Sequence, residues 1–278
     1  MKKVLLVIAV IVLTFQLYSQ NNSLVMTRHR VLNNKLPDSF NNFKIIHLSD
    51  LHSKTFGKDN NKIVNKIIKE NPDIIVITGD LIDRRKYNEE KAMLLVEKIK
   101  DIAPIYYVTG NHEGWSGKFS SLEKKLNENG VIVLRNESII LRKGHEEISI
   151  LGVDDPAFST TGYGEDYKGN KIIEDEIEKI KKAGSFNILL SHRPELFNLY
   201  REKDIDLVFS GHAHGGQIII PFIGGILSPN QGFFPKYYKG LYKESSTTMV
   251  VSRGLGNSVF PQRIFNNPEI VCVELVRR

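Results

Sequence analysis

The sequence predicts an α/β fold, and two observations carry that expectation. Short apolar runs alternate with stretches whose apolar positions recur at helical spacing, and the helical stretches stop at Pro72, Gly130 and Gly184, in the manner of βαβ units. Five of the apolar runs also end alike, in Asp, Asn or His, and the carboxyl ends of strands are where an open α/β sheet collects its chemistry. With 278 residues, 41% of them hydrophobic and 25% charged, the chain is long enough for one large α/β domain or two small ones. It has no internal repeat, no low-complexity tract and no Pro/Gly-rich linker, so one domain is expected after the leader.

Residues 1–20 stand apart. Lys2 and Lys3 precede an apolar stretch from Val4 to Tyr18, broken only by Thr14 and Gln16, which is the order of a secretory leader. As a helix the stretch spans about 22 Å, short of the roughly 30 Å hydrocarbon layer, so a signal segment fits better than a full span. Ser19 can precede a cut, but Leu17 spoils the small-x-small pattern, and an uncleaved N-terminal membrane anchor stays open. Either way the remainder is expected outside the cytoplasm, secreted or membrane-anchored. Residues 21–42 are expected to pack on the domain edge, and residues 43–278 to form the domain.

Helices are expected over Asn60 to Glu70, Asn88 to Ile102, Lys118 to Asn129, Asn170 to Ala183 and Pro194 to Lys203. Between them lie the strands, each with its polar end: Lys44-Ile-Ile-His-Leu-Ser-Asp50-Leu-His52, Ile74-Ile-Val-Ile-Thr-Gly79-Asp80, Ile105-Tyr-Tyr-Val-Thr-Gly110-Asn111-His112-Glu113, Asn187-Ile-Leu-Leu-Ser-His192, and Leu207-Val-Phe-Ser-Gly211-His212-Ala213-His214. The single cysteine, Cys272, lies in the alternating run Glu269 to Val276; it excludes an intrachain disulfide and a thiolate metal site, and is expected to fill a strand's core face. The net charge of +6 and pI near 9.1 come from dispersed lysines. That is a solvated surface, with no specific nucleic-acid binding expected and no signal for an oligomeric state.

Oxygen from Asp and Asn with nitrogen from His, and no sulfur, suits Zn, Mn or Fe better than a soft thiolate-bound metal or an all-oxygen calcium cage. The donors exceed what one four-coordinate ion needs, whereas two divalent metal ions about 3.5–4 Å apart, sharing a carboxylate, use them all. Such a pair binds a phosphate oxygen and makes hydroxide available near neutral pH for attack on phosphorus in line with the leaving group. The departing oxygen then needs a proton, which gives a role to a histidine near the metals but not on them.

The ordered set Asp50-x-His52, Gly79-Asp80, Gly110-Asn111-His112-Glu113, His192, Gly211-His212-x-His214 resembles the calcineurin-like metallophosphoesterases over about residues 43 to 276. Gly215-Gly-Gln217, the "FIGGILSPNQGFFPKYYKGLY" stretch and "RGLGNS" resemble the bacterial exported branch typified by the YkuE and YaeI phosphodiesterases. The resemblance implies a four-layer α-β-β-α sandwich of two mixed sheets flanked by helices. It further implies Asp50, His52 and His214 as ligands of one ion, Asp80 as the bridging carboxylate, and Asn111, His192 and His212 as ligands of the other. His112 matches the non-ligand general acid. Asp83 and Arg84 of "GDLIDRR" match the aspartate that orients this histidine and the arginine that touches phosphate.

The function implied is two-metal hydrolysis of phosphate esters, phosphodiesters or pyrophosphates ahead of monoesters, on a substrate that is lipid-linked or a nucleotide. The alternatives are a phosphomonoesterase or phosphoprotein phosphatase, favoured by Asp83 and Arg84, and a metal-binding scaffold without catalysis. His47 points by period 2 to the side of Ile45 and Ser49 and is expected as a satisfied core histidine. His29 and His145 are expected exposed and without a role. Arg193 reads equally as a phosphate fork and as a surface residue ahead of a helix starting at Pro194. Asp154 and Asp155 read as a turn before Pro156. The aromatic, basic stretch Gly215 to Tyr242 either holds substrate or packs on the sheet. Gly215 and Gly216 are expected to leave room for the approaching phosphate.

Overall fold

The computed structural model describes residues 2–159, 167–257 and 260–278. Met1 of the leader and Ser258 of the RGLGNS stretch fall outside these, as do residues 160–166 of the expected 43–278 domain. The first half comprises α1 (Lys2–Asn22), β1 (Val25–Asn33), β2 (Lys44–Leu48), α2 (Asn61–Glu70), β3 (Ile74–Thr78), α3 (Glu89–Ile99), β4 (Ile105–Val108), α4 (Asn111–Ser116), α5 (Phe119–Glu128) and β5 (Ile132–Val133). The second comprises β6 (Glu137–Lys143), β7 (Glu146–Gly152), α6 (Tyr167–Ile180), β8 (Asn187–Leu190), α7 (Phe197–Glu202) and β9 (Leu207–Ser210). It continues through two small ribbons, β10 (Ile219–Ile220) with β11 (Gly224–Gly225) and β12 (Leu227–Ser228) with β13 (Gly232–Phe233). The chain closes with β14 (Gly240–Glu244), β15 (Thr247–Val251) and β16 (Glu269–Arg277).

The first large sheet runs β1-β16-β2-β3-β4-β5, with β2 to β5 parallel and β16 antiparallel to β2. The second runs β14-β15-β9-β8-β7-β6, parallel from β15 to β7 and closed by an antiparallel strand at each edge. One face of the first sheet buries Ile46, Ile75 and Ile77 against Ile63 and Ile67 of α2 and Val96 of α3. Its other face meets the second sheet, where Ile45, Val76 and Val108 pack on Ile150, Ile188 and Phe209. The far side of the second sheet is covered by Ile173 and Ile177 of α6 and Phe197 and Tyr200 of α7. This is the four-layer sandwich, and stacking the sheets brings the carboxyl ends of β2, β3, β8 and β9 to one edge.

The expected helices form with modest changes in their ends. Asn88 caps α3, its side chain accepting from the Lys91 N–H at 2.9 Å. Pro194 opens a 3-10 turn, Pro194–Leu196, that runs into α7. The alternation of Val271, Val273 and Leu275 with Ile270 and Cys272 puts one set between the sheets and the other, with the thiol, against the helices. His47 is fully buried between the sheets, its Nε2 2.7 Å from Thr78 Oγ1, and burial pushes its imidazole down to about 3, so it is neutral. His145 is exposed at the β6–β7 turn. His29 departs from expectation: it is half-buried in β1, an edge strand paired in parallel with β16.

Truncating a residue between the sheets removes contacts on both sides. We expect Ile188→Ala to lower the unfolding free energy by about 2–5 kcal/mol, and Ile68→Ala on the exposed face of α2 by less than about 0.5 kcal/mol, measured by urea denaturation.

Candidate metal centre

Each of the five strand ends delivers its side chain just past the last paired residue, and the backbone there turns sharply. Asp50, His52, Asp80, His212 and His214 all take positive φ, between 47° and 63°, a region that non-glycine residues occupy rarely and at a cost of about 1–3 kcal/mol each. Cross-sheet hydrogen bonds hold these turns. The His192 Nδ1–H donates to the Thr78 carbonyl at 2.6 Å, and the His212 main-chain N–H donates to the Asp50 carboxylate at 3.1 Å. Gly110 and Gly211 are required by this closeness: a Cβ at Gly110 would lie 2.4 Å from Asp80 Oδ1, and one at Gly211 would lie 1.9 Å from Ser49 Oγ.

The structure brings all seven sequence-predicted metal candidates together and buries them. Asp50, His52, Asp80 and His214 form one group and Asp80, His192 and His212 another, the donor atoms of each within 4.8 Å of one another. Asn111 joins the second group, with Oδ1 3.1 Å from His192 Nε2. Asp80 is common to both: its Oδ2 is 3.6 Å from His52 Nε2 and 3.4 Å from His192 Nε2.

The residues fit divalent cations. The Nε2 atoms of His52 and His214 are only 3.1 Å apart, a distance two lone pairs tolerate only with a proton or cation between them. Burial, opposed by His192 and reinforced by the Asp80 charge, pushes the Asp50 carboxyl up to about 6. Burial would lower His192, yet the Asp80 and Asp50 carboxylates hold it up at about 10. Cations supply the compensating charge that buried carboxylates demand. The tautomers also suit ligation. His192 Nδ1–H is held by Thr78, leaving Nε2 to face the group. His212 Nε2 lies between Asn230 Oδ1 at 2.8 Å and Arg193 Nη1 at 3.0 Å, which turns its Nδ1 toward His192.

His112 sits beside the first group, its ring centroid 4.5 Å from that of His52. Its Nδ1 accepts the Arg84 main-chain N–H at 3.1 Å, which places the proton of the neutral ring on Nε2. Asp83 Oδ1 is 3.8 Å from that Nδ1, longer than a hydrogen bond, and instead accepts the Arg85 N–H at 2.7 Å. The Arg84 guanidinium lies 4.5 Å over the Trp115 ring.

Other functional positions escape sequence reasoning. The buried Glu113 carboxylate accepts main-chain N–H groups from Gly110 and Asp80 at 2.8 Å and from Ile82 at 3.2 Å, locking two strand-end loops together. Burial, with the Asp80 charge adding, pushes its carboxyl up to about 7. Arg193 is not a surface residue: it is buried, paired with Asp155 through Nε at 2.5 Å and Nη2 at 2.8 Å, and its Nη1 lies 2.9 Å from Asn230 Oδ1 and 3.0 Å from His212 Nε2. Asp155 therefore does more than close a turn. The glycines after His214 also differ from expectation. A Cβ at Gly215 would meet Asn266 Oδ1 at 2.2 Å and one at Gly216 would meet Gly225 Cα at 2.5 Å, so packed chain and not open approach space requires them. Asn266 fastens this turn, donating to the carbonyls of His214 and Gln217 at 2.7 and 3.0 Å. The sole sequence signal for Asn230 was its place in a Pro-Asn-Gln-Gly turn.

The profile of the calcineurin-like phosphoesterase family matches residues 43–216, which contain every one of these donors. The chain belongs to that family. This calcineurin-like phosphoesterase is 32% identical over 264 residues to the uncharacterized metallophosphoesterase YkuE of Bacillus subtilis, covering 93% of this chain and 87% of that protein, and falls in the YkuE-like branch. It is 30% identical to a zebrafish (Danio rerio) protein named a transmembrane protein with metallophosphoesterase domain, covering 87% of this chain and 55% of that one. Among solved structures, TT1561 of Thermus thermophilus has the same fold, with a TM-score of 0.51 at 13% identity over 77% of this chain and 90% of that one.

Because Asn230 holds the His212 ring from outside the donor groups, Asn230→Ala should weaken Mn or Zn affinity by about 10–100-fold, measured by calorimetric titration. Unchanged affinity would remove Asn230 from this role.

Proposed function

We propose that this chain, a metal-dependent phosphoesterase by family whose Asp/His cluster is compatible with a binuclear divalent centre, cleaves phosphodiester or pyrophosphate bonds outside the cytoplasm, with Asp50, His52 and His214 binding one Mn, Zn or Fe ion, Asn111, His192 and His212 the other, and Asp80 both. The observation that carries this reading is Asp80, one buried carboxylate common to two donor groups, with His112, an imidazole of neither, at their side in a group with His52 and Asp83. Ions so held would supply Lewis acidity to the phosphate oxygens and lower the pKa of a bound water.

The protein's own groups do the rest. The Asp80 carboxylate, fixed by the His112 main-chain N–H at 2.8 Å, sets the relative position of both donor groups and of His112 itself. His112, oriented through Nδ1 by Arg84, presents the Nε2 proton to the departing oxygen. Asp83 is the carboxylate beside that ring, its Oδ1 3.8 Å from Nδ1. Preference for a diester is supported by the buried arginines: Arg193 is held by Asp155 and Asn230, and Arg263 donates to the main-chain carbonyls of Gly256, Arg253 and Gly254, so neither is aimed at the second charge of a monoester dianion. Export is supported by the lysine-led apolar helix α1.

Turnover is measured on bis-p-nitrophenyl phosphate, p-nitrophenyl phosphate and a phosphopeptide with Mn, Zn or Mg, and the diester should be cleaved fastest. Preference for p-nitrophenyl phosphate or the phosphopeptide would replace the diesterase reading by a phosphatase, and metal retention without turnover would leave a scaffold. His112→Ala should lower kcat by about 10²–10⁴-fold with metal content kept, whereas Asp80→Asn should lose metal as well, read by elemental analysis. Normal diester turnover by His112→Ala would end its role as general acid.

A further inference from the structure

The helix α1 is exposed along its length and is long and apolar enough to cross a membrane, yet its last turn is built into the domain. Gln262 Nε2 donates to the Leu17 carbonyl at 2.9 Å and Lys54 Nζ to the Asn21 carbonyl at 2.5 Å, satisfying carbonyls that a helix end leaves open. The Asn21 side chain accepts the Arg263 N–H at 2.8 Å and donates to the Pro261 carbonyl at 2.9 Å. A cut after Ser19 would remove the Leu17 contact and leave those of Asn21 with the domain.

The surface around that foot is apolar. Phe222, Phe233, Phe234 and Phe265 are 109%, 73%, 64% and 62% exposed, and three of them, Phe222, Phe234 and Phe265, sit at positive φ, where a bulky side chain is strained. They belong to one stretch of surface. Ile219 donates to the Ile264 carbonyl at 3.0 Å, joining the β10–β11 ribbon to the segment on which α1 is seated, and Phe234 donates to the Ile226 carbonyl at 2.9 Å, joining the second ribbon to the first. The same segments wall the donor groups, through Asn230 to His212 and Asn266 to His214. Tyr237, by contrast, packs inward on Phe197 and Tyr242, so the loop divides its aromatics between core and surface.

We infer that this phenylalanine rim seats in the interfacial layer of a lipid bilayer that α1 crosses, so that the donor groups open against the membrane surface. The apolar part of α1, Val4 to Tyr18, covers about 22 Å of a layer roughly 30 Å thick. A helix that short spans only if what stands at its foot is drawn down into the headgroup region, where the exposed phenylalanines and the exposed Tyr18 of α1 suit the interface. Lys2 and Lys3 at the other end set the domain on the outer side. Combined with the phosphodiesterase reading, on which this consequence rests, the substrate class is a phosphodiester headgroup of a membrane lipid.

The full chain carrying Cys272→Ser and one added cysteine, F222C, F234C or F265C, is labelled with a polarity-sensitive fluorophore in phosphatidylcholine/phosphatidylglycerol nanodiscs; K98C on α3 serves as the control. The three rim labels should shift blue and be quenched several-fold more than the control by lipids spin-labelled near the headgroup. Water-like emission at all three sites would overturn the inference. So would a blue shift without lipid quenching, which would mean that a second copy of the chain covers the rim. Independently of any catalytic assumption in the labelling, F222S/F233S should lose about tenfold or more of the release of a fluorescent lipid headgroup from nanodiscs while cleaving soluble bis-p-nitrophenyl phosphate normally. Equal loss on both substrates would overturn the inference, and quenched rim labels with no diester turnover in the unsubstituted chain would fault the phosphodiesterase reading alone.

Discussion

The centre depends on hydrogen bonds that cross the seam between the two sheets. Asp50 and Asp80 follow strands of the first sheet, while His192, His212 and His214 follow strands of the second. No local interaction brings them together. The His192 ring donating to the Thr78 carbonyl, and the His212 backbone donating to Asp50, register one sheet's edge against the other, and each is made by a donor residue itself. Assembly of the site and stacking of the sheets are therefore one event. The apolar layer between the sheets supplies the free energy, and the polar seam selects the one lateral offset at which buried carboxylates find partners.

Much of this was legible in the sequence because strand ends announce themselves. Apolar runs closed by Gly-Asp, Gly-Asn-His or Gly-His-x-His mark both the strand and its polar terminus, and the α/β class and the convergence of the strand ends follow from that pattern, whereas the four layers and the division of the donors between two groups were implied by the family resemblance. Glu113 was visible as a letter of the motif but not as a clasp, since its three partners are amide groups that leave no trace in side-chain identity. Asn230 and Asn266 reach the histidines from loops whose path no periodicity encodes. The edge elements were also hidden: β1, β6, β14 and the short α4 are half-exposed or too brief to carry a decisive apolar rhythm. Gly215 and Gly216 mislead for a related reason, because a glycine states that a Cβ is forbidden without saying whether chain or ligand forbids it.

Five donor residues with left-handed backbone, two carboxylates without a paired lysine or arginine, and facing imidazole nitrogens all oppose folding. The core layers on both faces of each sheet offset that cost. Rigidity is the return: Arg193 and Asp155 form a buried brace behind His212, met from the surface by Asn230, and Glu113 with Asp80 forms another behind Asn111 and His112. Donors held this firmly need little reorganisation when cations or a phosphate arrive.

Only Ser23 and Leu24 separate α1 from β1. With α1 in a bilayer, a tether without slack fixes the height of the donor groups above the lipid and leaves the domain free chiefly to rotate and drift in the plane. Encounter with substrate then becomes a two-dimensional search, governed by mole fraction within one leaflet and by lateral diffusion. Bulk concentration, which would govern a freely dissolved hydrolase of the same chemistry, would then matter little.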